Sequence, residues 1–243
     1  MIERSEAVVL KSQNWAESSR IVHVFSKRHG LLKLLAKGAR RPRSKFGGCL
    51  EPAHYIQIIF YPSRVSDLHN LSEAAILWRP RSSDHSLKKT RLLAAGLEIP
   101  LRAAAPETPT LSLFLNLYRF VRGIDNLPEE RHLNCLLDFS LRALGNLGYQ
   151  PILKTCVSCQ RALDHGAAGF SMELGGLICD ACARRHRQLA GLSPVQARYL
   201  INWDLAQRPR IFPSEAVSLI KILLTFLNHH LSEKGRLRCF HLI

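Results

Sequence analysis

The sequence predicts an α+β protein: a small N-terminal β-barrel, then an all-helical domain that carries an inserted four-cysteine module. Three observations support this. The first eighty residues hold short apolar runs between polar or glycine punctuation, the apolar period lengthens to that of a helix beyond Ser82, and four cysteines stand in two Cys-x-x-Cys pairs. At 243 residues the chain is long enough for one large domain or two small ones. The expected division is 1–80 and 81–243, with the cysteine module at about 152–190.

The strands come first. Glu6 to Ser12, Arg20 to Ser26 and Leu31 to Ala36 are short and apolar-rich, and Ala53 to Tyr61 is aromatic and β-branched up to Pro62-Ser63. A fifth run, Leu68 to Ile76, is weaker. Five short strands with no helix-length amphipathic segment suggest a small barrel such as an OB-fold. An SH3-like barrel would give nearly the same pattern, and periodicity does not separate the two.

Helical signals follow. Ser83-Asp84 can cap a helix carrying Leu87, Leu92 and Leu93. Thr108-Pro109 opens a second, with Leu111, Phe114, Leu115, Tyr118 and Val121 on one face. Pro128-Glu129-Glu130 is a proline-and-acid start, matched to the helix dipole, for a third. Its inward residues would be Leu133, Leu136, Leu137, Ser140, Leu141 and Leu144, and Gly148 its stop. Ser193-Pro194 starts a helix to about Ala206, and Ser214 starts the last, carrying Leu219, Ile220, Leu223, Leu224, Phe226 and Leu227.

Charge supplies the first functional clue. The chain is 47% hydrophobic, ordinary for a globular protein, and its net charge is +15. Such an excess favours acidic partners, nucleic acid before a membrane surface. Residues 1–80 hold thirteen basic and six acidic side chains. The densest cluster, Lys37-Gly38-Ala39-Arg40-Arg41-Pro42-Arg43-Ser44-Lys45, has five cations and no acid, and with Phe46-Gly47-Gly48 it reads as a mobile loop. Cations there would neutralise phosphates without sequence preference. Tyr55, Phe60, Tyr61 and Phe46 are candidates for base stacking, although alternate residues of a barrel strand normally fill its core.

The cysteines carry the second clue. Cys156-x2-Cys159-x19-Cys179-x2-Cys182 matches the spacing of a four-cysteine zinc site. Four thiolates complete a tetrahedron and leave no open position, so one structural Zn²⁺ per chain is expected. His165 and His186 lie close enough to replace one cysteine. No secretory signal is read at the start, and Leu92 to Ala105 is too interrupted to span a bilayer, so a cytoplasmic protein with reduced thiols is expected. The remaining Cys49, Cys135 and Cys239 are then most simply free thiols, and His229-His230 a solvated helix end.

Catalytic signatures are missing. The sequence has no phosphate-binding loop, no dinucleotide fingerprint, no H-E-x-x-H and no G-x-S-x-G. The zinc-deaminase pattern fails because Thr155, not Pro, precedes Cys156. A binding protein is the expectation.

Several stretches together resemble a known family. Val9-Leu10-Lys11-Ser12, Glu17-Ser18-Ser19-Arg20-Ile21-Val22, His29-Gly30, Ala36 to Pro42 and Phe46-Gly47-Gly48-x-Leu50-Glu51-Pro52 look like the N-terminal barrel of the bacterial recombination family RecO. Leu147-Gly148-Tyr149-x-Pro151, Phe170-Ser171, Gly175-Gly176 and Phe226-Leu227-x-x-His230-Leu231 continue the match in order. Gln160 departs from it, where the family commonly has Gly after the second cysteine.

The resemblance implies an OB-fold followed by a helical domain with a zinc module. It also implies binding of single- and double-stranded DNA, annealing of complementary strands, and work with RecR to load RecA on strands coated by single-strand-binding protein (SSB). The action would be electrostatic and non-catalytic, at the bacterial nucleoid. Lys37, Arg40, Arg41, Arg43 and Lys45 fall in the family's basic loop, with Lys11 and Arg20 on neighbouring strands. The acidic, apolar-ended SSB tail would need a slot flanked by cations, for which Leu133, Leu137 and Leu141 with Arg119, Arg122 and Arg131 are candidates. The competing expectations are a zinc-ribbon RNA-binding protein and a nucleic-acid-modifying enzyme that uses the zinc.

Overall fold

The computed structural model describes residues 2–81, 86–164, 166–186, 188–204, 211–231 and 235–243. The chain forms two compact units that divide between Leu127 and Pro128.

The first unit opens with strands β1 (Glu3–Trp15), β2 (Ser19–Ser26), β3 (Gly30–Ala36), β4 (Tyr55–Tyr61) and β5 (Leu68–Trp78). They close into a barrel in the order β1-β2-β3-β5-β4, with β3 and β5 parallel and the other pairs antiparallel. That closure is the Greek-key order of an OB-fold, and it resolves the choice that periodicity left open. The long β1 serves both neighbours, bending at a register shift between Val9 and Lys11. Inside lie Val9, Val22, Val24, Leu32, Leu34, Ile56, Ile58, Phe60 and Leu71.

Strand alternation is clean in β4, where Ile56, Ile58 and Phe60 point inward, but not in β2, where Ile21 and Phe25 on the outer face are buried too. The reason is tertiary. Helices α1 (Leu87–Ala103) and α2 (Leu111–Asn126) pack on β1, and α1 also packs on β2. Gly30 belongs to this junction: its φ is +66°, and a Cβ there would meet the Thr108 carbonyl oxygen. The strand-to-helix switch therefore falls near residue 80, as the sequence indicates, while the boundary of compaction lies beyond both helices.

Two helix expectations need adjustment. The Ser83-Asp84 cap lies outside the described residues, and α1 begins after Ser86. In α2 the buried face is Leu113, Phe114, Leu117, Phe120, Val121 and Ile124, whereas Leu111 and Leu115 are exposed. This helix is apolar on more than one face, so periodicity alone does not fix its rotation; packing does.

The second unit begins with a 3₁₀ turn at Glu129–Arg131 that leads into α3 (His132–Asn146). Gly148, at φ +87°, ends α3 as expected. The cysteine module follows, with strands β6 (Gly169–Ser171) and β7 (Gly176–Ile178), the short helix α4 (Asp180–Ala183) and β8 (Leu189–Gly191) in the order β7-β6-β8. Helix α5 (Pro194–Ile201) starts in a capping box of Ser193 and Gln196 and stops short of the expected Ala206, which lies outside the described residues. Helix α6 (Pro213–His230) buries all six apolar residues expected of it and packs on α3 and α5. No helix among the described residues is long and apolar enough to cross a membrane.

Candidate metal centre and nucleic-acid interface

The four cysteine sulfurs of the two knuckles lie within 4.8 Å of one another. Cys159 Sγ and Cys179 Sγ are 3.9 Å apart. Four sulfurs at about 2.3 Å from one ion would stand about 3.8 Å from each other, so this donor set fits a tetrahedral thiophilic metal. His186 does not join the four. Its Nε2 sits 3.2 Å from Ser158 Oγ, and His165 lies outside the described residues.

Local backbone explains how each knuckle is made. In the first, the Cys156 amide donates to Arg161 O and the Gln160 amide to Cys156 O, folding the chain back on itself. Gln160 takes φ +62°, the left-handed conformation that Gly adopts without cost. The departure from the family pattern at this position is thus a local strain. In the second knuckle Cys179 caps α4, and the amides of Cys182 and Ala183 both donate to its carbonyl.

The electrostatics of the quartet suit a bound cation. Burial raises the Cys156 thiol, but amides of Cys179, Cys159 and Ser158 outweigh it and lower the thiol to about 6. The Ser158 hydroxyl lowers Cys182, yet the neighbouring sulfurs of Cys159 and Cys179 push it up to about 11. Metal-free, such a cluster resists full ionisation; an ion makes four thiolates stable together. None of the seven cysteines is in a disulfide.

The basic segment is not a loose loop. Residues 37–50 form a chain of tight turns, with amides of Ala39, Arg41, Ser44, Gly47 and Cys49 each donating to a carbonyl three residues back. Phe46, Cys49 and Leu50 enter the barrel core and anchor the chain there. Lys37, Arg40, Arg41, Arg43 and Lys45 all stay exposed. They do not serve alike. Arg40 Nη1 donates to the carbonyls of Ala16 and Glu17, and its amide donates to Ser18 O, so Arg40 fastens the β1–β2 hairpin tip to the turn chain.

Strand register separates the two expected barrel cations. Lys11 pairs with His23, and His23 with Lys33, making an outward cross-strand row over three strands. Burial lowers the His23 imidazole, and Lys11 and Lys33 add to that shift. Arg20 has the opposite parity, that of inward Val22 and Val24, and pairs with Glu51 at 2.6 Å. Lys33, half-buried and 3.5 Å from Asp67, is a cation of this surface that sequence reasoning misses. Its signal is weak, a single lysine inside an apolar strand.

Three of the four expected stacking aromatics are engaged in packing. Phe46 and Phe60 are core. Tyr55 donates its hydroxyl to Glu6 and packs on Phe114 and Tyr118. Tyr61 alone of the four is exposed, while Trp15, which the strand pattern does not single out, is 52% exposed. The leucine slot also needs correction. Leu137 and Leu141 are fully buried core of α3, because that helix lies against α6, and only Leu133 is half-buried. Arg119 and Arg131 are exposed on the first and second units respectively, and Arg122 lies over the Trp78 ring at 5.0 Å with a bond to Tyr118 Oη.

Comparison with known proteins agrees with this geometry. The family model for the N-terminal part of recombination protein O matches residues 1–78, and that for its C-terminal part matches residues 85–238. Similar curated proteins are each named DNA repair protein RecO. That of Moorella thermoacetica is 26% identical over 98% of this chain and 89% of its own length. That of Frankia casuarinae is 33% identical over 84% of each chain, and that of Rubrobacter xylanophilus 31% identical over 74% of this chain and 71% of its own. The first matched region holds the five-stranded barrel and the second the helices and the four-cysteine cluster, and with the two models covering nearly the whole chain, this chain belongs to the RecO family of DNA repair proteins.

Proposed function

We propose that the chain is a non-catalytic recombination mediator. It binds single- and double-stranded DNA through the barrel, anneals complementary strands, and with RecR helps load RecA on SSB-coated DNA. The observation that carries the reading is the turn chain Lys37–Lys45, which holds its cations exposed while Phe46 plugs it into the barrel. Fixed cations screen phosphate repulsion while two strands find register, without base readout. Arg41, Arg43, Lys37 and Lys45, with Lys11 on the outer face, are the phosphate contacts; Arg40 and Arg20 support the surface through their protein bonds. Cys156, Cys159, Cys179 and Cys182 hold one structural zinc, which contributes fold energy and no chemistry.

The test is annealing of complementary oligonucleotides, naked and SSB-coated, without added nucleotide. Acceleration on both substrates is expected, and acceleration on neither overturns the reading. Arg131→Ala is expected to slow annealing of SSB-coated strands and spare naked ones. Equal loss on both would assign Arg131 to DNA or to stability.

A further inference from the structure

We infer that Trp15 is a base-stacking residue that gives the barrel surface a preference for unpaired over paired strands. The inference rests on the proposed DNA binding and assigns the part of the ligand, an exposed nucleobase, that the cations do not read.

Trp15 is a half-exposed indole on a strand that also exposes Lys11. Trp15 ends β1, with exposed Gln13, Asn14 and Glu17 beside it in the chain. The other two tryptophans lie under guanidinium groups, Trp78 below Arg122 at 5.0 Å and Trp203 below Arg142 at 5.6 Å. Trp15 instead leaves 52% of its surface exposed. The ring adds an amphipathic aromatic face to a strand that also carries exposed Lys11 and Gln13.

Strand periodicity places the ring. After the register shift, Lys11, Gln13 and Trp15 share one face, since Lys11 opposes His23 and Trp15 opposes Ser19. Lys33 extends the same row through its pairing with His23. Four residues of strand put the Trp15 backbone about 13 Å from the Lys11 backbone. Along β1 this face is exposed at Lys11, Gln13 and Trp15, while Ile21, opposite Gln13 on β2, is buried.

The hairpin tip is also held. Arg40 bonds the carbonyls of Ala16 and Glu17 at 3.2 and 3.0 Å, and its amide bonds Ser18 O at 2.9 Å. Ala16 takes φ +50°, so the tip is a defined turn rather than a splayed end. Arg40 is therefore a positioning residue. It presents Trp15 beside the cationic chain of which it is a member, so the ordering cost of the platform is already met in the free protein.

The chemistry follows from what each strand can offer. A single strand gives phosphates to Lys11 and the turn chain and turns a base onto the indole, which accepts any base because every base has a π-face. In a duplex the base faces are already stacked on their neighbours, and only phosphates remain available. Cations alone hold both forms; the indole favours one.

The experiment compares affinities of the full chain for a 20-residue oligo-dT and for a duplex of equal length at one fixed salt concentration. Trp15→Ala is expected to weaken single-strand binding by about 5- to 150-fold, the range for removing one base–aromatic stack. The single- to double-strand affinity ratio then falls by a similar factor. Trp15→Phe, which keeps a ring, should retain most of the ratio. A ratio unchanged in Trp15→Ala, or reduced equally in Trp15→Phe, overturns the inference while DNA binding itself stands. Binding of neither oligonucleotide by the unaltered chain overturns the parent reading instead.

Discussion

In the barrel, strands of seven to thirteen residues surround Val22, Leu34, Ile58 and Phe60, and the turn chain from the surface adds Phe46 to the same core. In the cysteine module the three strands hold three residues each, and the apolar residues they bury are few, chiefly Phe170, Leu177 and Ile178. Phe170 leans edge-on against Phe226 of α6 at 5.3 Å, so part of the module's packing is borrowed from the helices. Strands this short are marginal in water by themselves. A barrel closed by hydrogen bonds can stand on area removed from water; a three-by-three sheet cannot, and a metal held by the cysteine quartet would supply what is missing. The difference also divides the labour. The region with its own core can present charges and a ring outward, while the region without one would commit its four clustered cysteines to its fold if they hold the proposed zinc.

Metal removal is the strongest way to test that contrast. Protein purified without added zinc should contain near one equivalent of metal. Strong chelation, or Cys179→Ser, should abolish the transition of the second unit in calorimetry and leave the barrel transition in place, given about 10–16 kcal/mol for structural zinc in small fingers. A metal-free protein with an unaltered melt would remove the distinction. Phe46→Ala is the reciprocal test. It should cost the barrel about 3–5 kcal/mol in denaturant unfolding and leave metal content unchanged, because its ring is 1% exposed within the barrel core.

Next in size is the proposed DNA surface. Arg41→Glu with Arg43→Glu should weaken all sequences alike and flatten the slope of log K against log salt by about 0.7 for each single-strand phosphate that is no longer neutralised. These two positions are cleaner than Arg40, whose removal would also release the hairpin tip. Unchanged slope and affinity would make the turn chain a solvated face. A smaller effect, of opposite sign, belongs to the module. Gln160→Gly should raise its stability by about 1 kcal/mol, read as a higher melting temperature, because the left-handed turn then costs nothing. No gain would mean that the Gln160 side chain offsets the strain.

The smallest effect is a pH dependence of the barrel. Burial first, then Lys11 and Lys33, hold the His23 imidazole below its ordinary value of 6.5. The unfolded chain therefore binds the proton more readily. The stability His23 contributes is present above pH 6.5 and is lost as pH falls through that value toward the lower one of the folded state. Thermal melts of the barrel between about pH 7.5 and 5 should show this loss, and His23→Gln should reduce it.

Much of this is legible in the residues. The turn and apolar pattern places each barrel strand within a few residues, the weak fifth included, because alternation and punctuation are local properties. Knuckle spacing names all four sulfurs of the cluster, since two residues between cysteines leave few other geometries. The cationic segment is equally plain as composition. Its shape is not: Phe46 reads as a surface ring beside glycines, and it lies in the core because the barrel end needs filling.

Local quantities are thus readable from the residues: strand and helix identity, the type and spacing of the cysteines, and the sign and density of charge. Long-range packing sets which parallel pair closes the barrel, which face of α2 is buried, and that Leu137 and Leu141 are core. It also decides that Arg20 and Lys11 face opposite ways, and that Arg40 clamps a hairpin whose indole stands in the open. The reason is physical. Propensity and spacing act within a few residues of chain, whereas burial, parity and partner choice depend on which distant surface arrives to exclude water.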